Sequence, residues 1–218
     1  MLLYYITDRK GFDGSDAEQR AALLRRVGEA ARAGVDFIQL REKDLEAADL
    51  ELLARETMRR IRENSVATRM LINSQTEVAL AVGADGVHLP ADAPPVPAVR
   101  ELWMRQARRS PIIGVSAHTV GDVEQAATEN ASFAVFAPIF EKVATGAPGI
   151  GLDALREACA ESHIPVLALG GVRLGNVRAC LEAGAAGIAG IRLFQEGGIH
   201  STVEALRWLE RYASRSAG

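Results

Sequence analysis

The chain has 218 residues, 48% of them hydrophobic and 24% charged. That is ordinary globular composition and excludes wholesale disorder. Twenty-five Lys and Arg against 28 Asp and Glu leave a net charge of −3. This balance argues against nucleic acid or an anionic membrane surface as partner, since both call for an excess of cations. No apolar run approaches the roughly 18 residues of a membrane span, and the apolar start breaks at Asp8. Two cysteines in separate helical patterns give no disulfide framework, so the expected location is the cytoplasm.

Short apolar runs alternate with helical patterns along the whole chain. Leu3–Thr7 reads as a strand and Asp16–Ala33 as a helix, with Ala21, Leu24, Val27 and Ala31 at helical spacing. Strand Phe37–Leu40 precedes helix Leu45–Ile61. Strand Met70–Ile72 precedes helix Glu77–Val82, and strand Gly86–Leu89 precedes helix Val96–Trp103. Strand Ile112–Ser116 leads to helix Val120–Thr128, and strand Phe133–Phe136 to helix Leu152–Ala160. Strand Pro165–Leu169 leads to helix Asn176–Ala183, and strand Gly187–Ile191 to helix Val203–Tyr212.

Eight strands in strict alternation with eight helices predict parallel strands joined by right-handed crossovers. At about 27 residues per unit, 218 residues suffice for one compact (β/α)8 barrel spanning 1–218. An open doubly wound sheet is the alternative, but Thr7-Asp8-Arg9-Lys10 is not the Gly-rich first turn such a sheet carries. A weak repeat of about fifty residues supports the barrel. Gly34-Val35-Asp36-Phe37, Gly83-Ala84-Asp85-Gly86, Asn130-Ala131-Ser132-Phe133 and Gly184-Ala185-Ala186-Gly187 each end a helix and enter a strand.

A barrel of this kind does its chemistry at the C-terminal ends of its strands. After strand two, period two puts Gln39, Arg41 and Lys43 on one side and Leu40 and Glu42 on the other. An Arg and a Lys on one rim suit a polyanion; the competing reading is an Arg–Glu clamp across the barrel mouth. Asn73 follows strand three, and His88 and Asp92 come with strand four. Ser116 and His118 stand two apart after strand five, close enough to face one cavity. A nucleophile–base pair is one reading, although side chains at i and i+2 rarely meet. General acid–base work by His118 competes with a local helix-start role.

A glycine-rich loop of more than ten residues follows strand six. It carries Lys142 and Thr145 and reads as either a lid or a surface loop. Gly170-Gly171 after strand seven and Gly190-Ile191-Arg192 after strand eight occupy the recurrent phosphate cradle of the fold. Cys159, Cys180, Trp103 and Trp208 read as packing residues. The sequence leaves the oligomeric state open, a homodimer included.

Seven segments in order resemble the thiamine phosphate synthase/TenI superfamily. They are Tyr5-Ile6-Thr7-Asp8, Phe37 through Lys43, Leu71-Ile72-Asn73, Ala84 through Leu89, Ile113 through Thr119, Ala137 through Phe140 and Pro165 through Val172. The resemblance implies a TIM barrel acting in thiamine biosynthesis on small phosphorylated pyrimidine and thiazole substrates. A synthase of this family couples a pyrimidine pyrophosphate to a thiazole phosphate with Mg²⁺. Pyrophosphate leaves, a pyrimidine carbocation forms, and the thiazole nitrogen attacks it. The TenI relatives are tautomerases of the thiazole carboxylate phosphate.

By the same resemblance, Gln39, Arg41 and Lys43 contact the pyrimidine pyrophosphate, Asn73 contacts substrate and Ser116 lies near the pyrophosphate. Gly171 holds the thiazole phosphate, and His118 matches the tautomerase histidine. The chain also departs from the synthase pattern. Ser74 and Ala93 stand where synthases usually place two Mg²⁺-ligating Asp residues, leaving Asp92 as the candidate metal ligand. The loop after strand six reads Lys142, Val143, Ala144, Thr145 in place of Thr-x-Thr-Lys, and Arg192 replaces a Ser. The Gln39/Arg41/Lys43 trio favours a synthase. The missing acid and the rebuilt loop favour a tautomerase or a non-catalytic phosphate-binding relative.

Overall fold

The computed structural model describes residues 1–107, 109–140 and 148–216. Eight parallel strands close into a barrel in sequence order: β1 (Leu2–Ile6), β2 (Phe37–Leu40), β3 (Arg69–Asn73), β4 (Gly86–Leu89), β5 (Ile112–Ala117), β6 (Phe133–Phe136), β7 (Val166–Ala168) and β8 (Gly187–Gly190). The seam pairs Leu2 with Gly187 and Tyr5 with Gly190. Around it run α1 (Asp16–Ala33), α2 (Ala47–Asn64), α3 (Thr76–Val82), α4 (Val96–Ala107), α5 (Val120–Thr128), α6 (Gly151–Glu161), α7 (Val177–Glu182), α8 (Arg192–Gln195) and α9 (Ile199–Ser216). The (β/α)8 barrel is therefore the fold. The open sheet is excluded, because β1 is hydrogen-bonded to both β2 and β8.

Two short helical segments, the 3-10 helix Arg9–Gly11 and α8, were not legible. The four residues of α8 begin at Arg192, which the sequence places at a strand end; the strand stops at Gly190. Four residues are too few to show a helical period.

Period two sorts the strand residues into two apolar layers. Tyr4, Ile6, Leu71, Phe133, Val135, Leu167 and Ala189 pack inside the barrel. Leu3, Tyr5, Ile38, Leu40, Met70, Ile72 and Ile188 face outward against the helices. Trp103 is fully buried as the sequence suggests. Trp208 is 53% exposed, because it lies on the outward face of α9. Cys180 is buried and Cys159 half-buried; burial pushes both thiols up to about 11, so they behave as apolar packing.

The repeat has a structural purpose. Gly34, Gly83, Asn130 and Gly184 all take the left-handed conformation that ends a helix. Two residues on, a side chain ties the strand entry to its neighbour. Asp36 Oδ2 accepts from Leu3 N at 2.8 Å, Asp85 Oδ2 from Met70 N at 2.9 Å, and Ser132 Oγ from Ile113 N at 3.0 Å. These bonds satisfy N–H groups at the barrel floor. The fourth repeat has Ala186 there and uses backbone instead: its carbonyl accepts from Leu2 N at 2.9 Å.

Candidate active site at the barrel mouth

A cavity of about 1420 Å³ opens at the C-terminal strand ends. Gln39, Arg41, Lys43, Asn73, Asp92, Ser116, His118, Gly170, Gly171, Ile191 and Arg192 all line it, so residues from six strand ends converge. Lys142 and Thr145 lie outside the described residues.

The β2 end is held by a polar cluster whose centre, Thr7, Arg9 and Glu42, is buried. Thr7 Oγ1 donates to Glu42 Oε1 at 2.6 Å and accepts from Arg41 N at 3.0 Å. Arg9, only 3% exposed, donates to Glu42 and forks onto Asp44 at 2.6 and 2.8 Å and onto Asp16 at 3.0 Å. The clamp considered for this rim thus forms between Glu42 and Arg9. It leaves Arg41 and Lys43 without a salt bridge among the described residues.

Gln39 donates through Nε2 to Asn73 Oδ1 at 2.8 Å. Among the described residues its buried Oε1 has no partner. A buried acceptor without a donor is costly in the free protein, and at a cavity wall it is an opening for a ligand donor.

Ser116 and His118 do not pair. Ser116 Oγ sits 2.9 Å from His88 Nε2, and His88 Nδ1 sits 3.2 Å from the Tyr4 hydroxyl. The partner comes from the adjacent strand through the β4–β5 register, which sets His88 beside Gly114. Burial, and then the charge of Arg41, lower the His88 pKa to about 3, so the ring is neutral. Gly114 is what admits it: a Cβ there would stand 2.6 Å from the Phe133 ring and 2.9 Å from His88 Nδ1.

His118 has a different setting. Its Nδ1 donates to the Ala137 carbonyl at 2.7 Å, and among the described residues its Nε2 makes no hydrogen bond. Its backbone N–H donates to Asp122 Oδ2, inside the Thr119–Asp122 box that starts α5.

After β7, three strands round the barrel from β2, Gly170 and Gly171 have φ of 97° and 66°, conformations that favour glycine. A Cβ at Gly170 would stand 2.6 Å from Pro138 Cα. Arg192 and Arg173 also line this side. Arg173 was not singled out from the sequence; its place two residues past Gly171 was the available signal.

Among the described residues, no group of three or more His, Cys, Asp or Glu side chains is placed to hold a metal. No described helix is long and apolar enough to cross a membrane.

Fold and mouth together define a (β/α)8 barrel protein with one cationic, glycine-lined cavity at the C-terminal ends of its strands. A family model described as "Thiamine monophosphate synthase" matches residues 3–194, and the chain belongs to that family. A Geobacter sulfurreducens protein named "Putative thiamine-phosphate synthase" is 44% identical over 190 residues, covering 86% of this chain and 83% of its own length. The Methanoculleus marisnigri thiamine-phosphate synthase is 36% identical over 221 residues, covering 99% of this chain and 97% of its own. Among solved structures, a thiamine phosphate pyrophosphorylase from Pyrococcus furiosus matches with a TM-score of 0.80 at 28% identity, covering 97% of this chain and 96% of its own.

Proposed function

We propose that this chain is a thiamine-phosphate synthase, which couples a hydroxymethylpyrimidine pyrophosphate to a thiazole phosphate and releases pyrophosphate. The observation that carries the reading is the distribution of cations around one cavity. Arg41 and Lys43 follow β2, whereas Arg173 and Arg192 follow β7 and β8. None of the four has a salt bridge among the described residues. Two cationic sides suit a reaction with two phosphorylated substrates, one of them a pyrophosphate; the tautomerase substrate carries one phosphate and one carboxylate and no pyrophosphate. A cavity of about 1420 Å³ is ample for both.

In this reading Arg41 and Lys43 grip the pyrophosphate, and Ser116 lies beside it. Gln39 Oε1 accepts from an exocyclic amino group of the pyrimidine, which supplies its missing donor. The backbone at Gly170 and Gly171, with Arg192, receives the thiazole phosphate. Cations at the leaving group stabilise the charge that develops as the carbon–oxygen bond breaks. The thiazole nitrogen, held across the cavity, then forms the new bond to carbon.

The family resemblance implies Mg²⁺. Two exposed carboxylates line the cavity, Asp92 after β4 and Glu196 after β8, and the Ser74 hydroxyl after β3 lines it as well; Asp92 is the candidate ligand that the resemblance implies. Mg²⁺ commonly takes one or two carboxylates and completes its shell with substrate phosphates and water, so this set fits an ion carried by the pyrophosphate and not a protein cage. Bound there, it would neutralise part of the leaving group's charge, with Asp92 as the protein ligand.

A second reading rests on His118. With Nδ1–H fixed on Ala137, Nε2 is free to exchange a proton with a ligand, as a thiazole tautomerase requires. Incubation with both substrates and Mg²⁺, following pyrophosphate and the coupled product by mass, tests the first reading. Isomerisation of the thiazole carboxylate phosphate without any coupling would overturn it in favour of the second. Tight binding of thiazole phosphate with no turnover in either assay would instead mark a non-catalytic relative.

A further inference from the structure

Tyr4, His88 and Ser116 form one hydrogen-bonded line from the barrel interior to the cavity. Tyr4 is fully buried between Phe37 and Phe133, with ring centroids 6.0 and 5.2 Å away. Among the described residues its hydroxyl has no hydrogen-bond partner other than His88 Nδ1. A buried O–H needs an acceptor, so Tyr4 donates and Nδ1 supplies a lone pair. The ring is neutral, so its one proton sits on Nε2. Nε2–H then donates to Ser116 Oγ at 2.9 Å. That leaves the Ser116 hydroxyl proton free to point into the cavity.

This polarity is the reverse of a Ser–His nucleophile pair. There the imidazole carries its proton on Nδ1, held by an acceptor, and Nε2 receives the serine proton. Here the third member is a donor, and Nε2 has no lone pair to offer. We propose that Tyr4 and His88 are positioning residues that preset Ser116 as a hydrogen-bond donor to a phosphate oxygen of the ligand, and that Ser116 is not a nucleophile. The identity of that ligand, the pyrophosphate group, rests on the function proposed above.

Nitrogen-15 NMR of the full chain tests the wiring without any substrate. His88 is one of four histidines and is assigned by comparison with His88→Gln. The expected result at pH 7 is a neutral ring protonated on Nε2. A ring protonated on Nδ1, or an imidazolium, overturns the proposal. Calorimetry with inorganic pyrophosphate tests the consequence on wild type, Tyr4→Phe, Ser116→Ala and the double variant. Ser116→Ala should weaken binding about tenfold, the scale of one charge-assisted hydrogen bond. Tyr4→Phe should weaken it several-fold in the wild type, yet add nothing in the Ser116→Ala background. Equal losses in both backgrounds would mean that Tyr4 acts on packing alone and would overturn the proposal. A wild type that binds pyrophosphate but couples no substrates sinks the functional reading and leaves this one standing. A wild type that binds none overturns the phosphate-donor role.

Discussion

Thr7 Oγ1 lies 2.6 Å from Glu42 Oε1 and at the same time accepts the backbone N–H of Arg41 at 3.0 Å. One hydroxyl at the end of β1 therefore fixes the course of the chain leaving β2, where Arg41 and Lys43 are presented. The cluster beneath it is ionic, with Arg9 and Glu42 buried and Asp16 and Asp44 exposed. Glu42→Ala removes one of three carboxylates around Arg9 and leaves Asp16 and Asp44. Breaking a buried pair outright costs about 3–5 kcal/mol; with two partners kept, a loss of roughly 2 kcal/mol is expected. Urea unfolding of the purified variant measures it.

Arg41→Ala leaves this cluster intact, since only the backbone of Arg41 enters it. The variant should fold normally and lose a charge-assisted contact of about 1.5–3 kcal/mol, so kcat/KM for coupling should fall roughly 10²-fold. Steady-state kinetics with the pyrimidine pyrophosphate varied would show it. An unchanged value would remove Arg41 from the site.

Gly114→Ala places a methyl against the Phe133 ring and His88 Nδ1. Overpacking of this kind costs about 1–3 kcal/mol. Here it also pushes His88 off Tyr4. Lower thermal stability together with weaker pyrophosphate binding is expected, and the two are read by calorimetry on one sample. Normal binding at reduced stability would separate the glycine from the site.

His88 makes stability depend on pH in a definite direction. Unfolded, it takes up a proton near 6.5; folded, burial holds the proton off until about 3. Between those values the unfolded chain binds more protons, so stability is fully present above 6.5 and is lost as pH falls toward 3. At about 1.4 kcal/mol per unit, roughly 3 kcal/mol goes between pH 7 and 4.5. Denaturant unfolding of wild type and His88→Gln at both pH values isolates this contribution. The variant's curve should be flatter by about that amount, and parallel curves would contradict the assignment.

The fold was legible because each of its devices is local. Apolar period, helix-ending residues and the fifty-residue repeat all act within a few neighbours, and Gly34, Gly83, Asn130 and Gly184 sit in the expected left-handed conformation. Gln39, Arg41 and Lys43 all line the cavity because they stand at and just past the C-terminal end of β2, although Leu40 and Glu42, expected on the other side, line it too. The Ser116–His118 pairing failed because side chains inside a barrel meet across strands. His88 reaches Ser116 through the register of β4 and β5, which no spacing along one segment encodes. From spacing alone Arg9 is only part of the turn Thr7-Asp8-Arg9-Lys10, whereas its role is set by Glu42 and Asp44, more than thirty positions away.

The side-chain ties of Asp36, Asp85 and Ser132 all lie at the N-terminal end of the barrel, and every residue assigned to ligand lies at the other. Closure of the scaffold and choice of substrate are thus written in different residues. The mouth is free to be rewritten, one loop at a time, without reopening the barrel. That separation lets residues of the mouth, Ser74 among them, change while the architecture is kept.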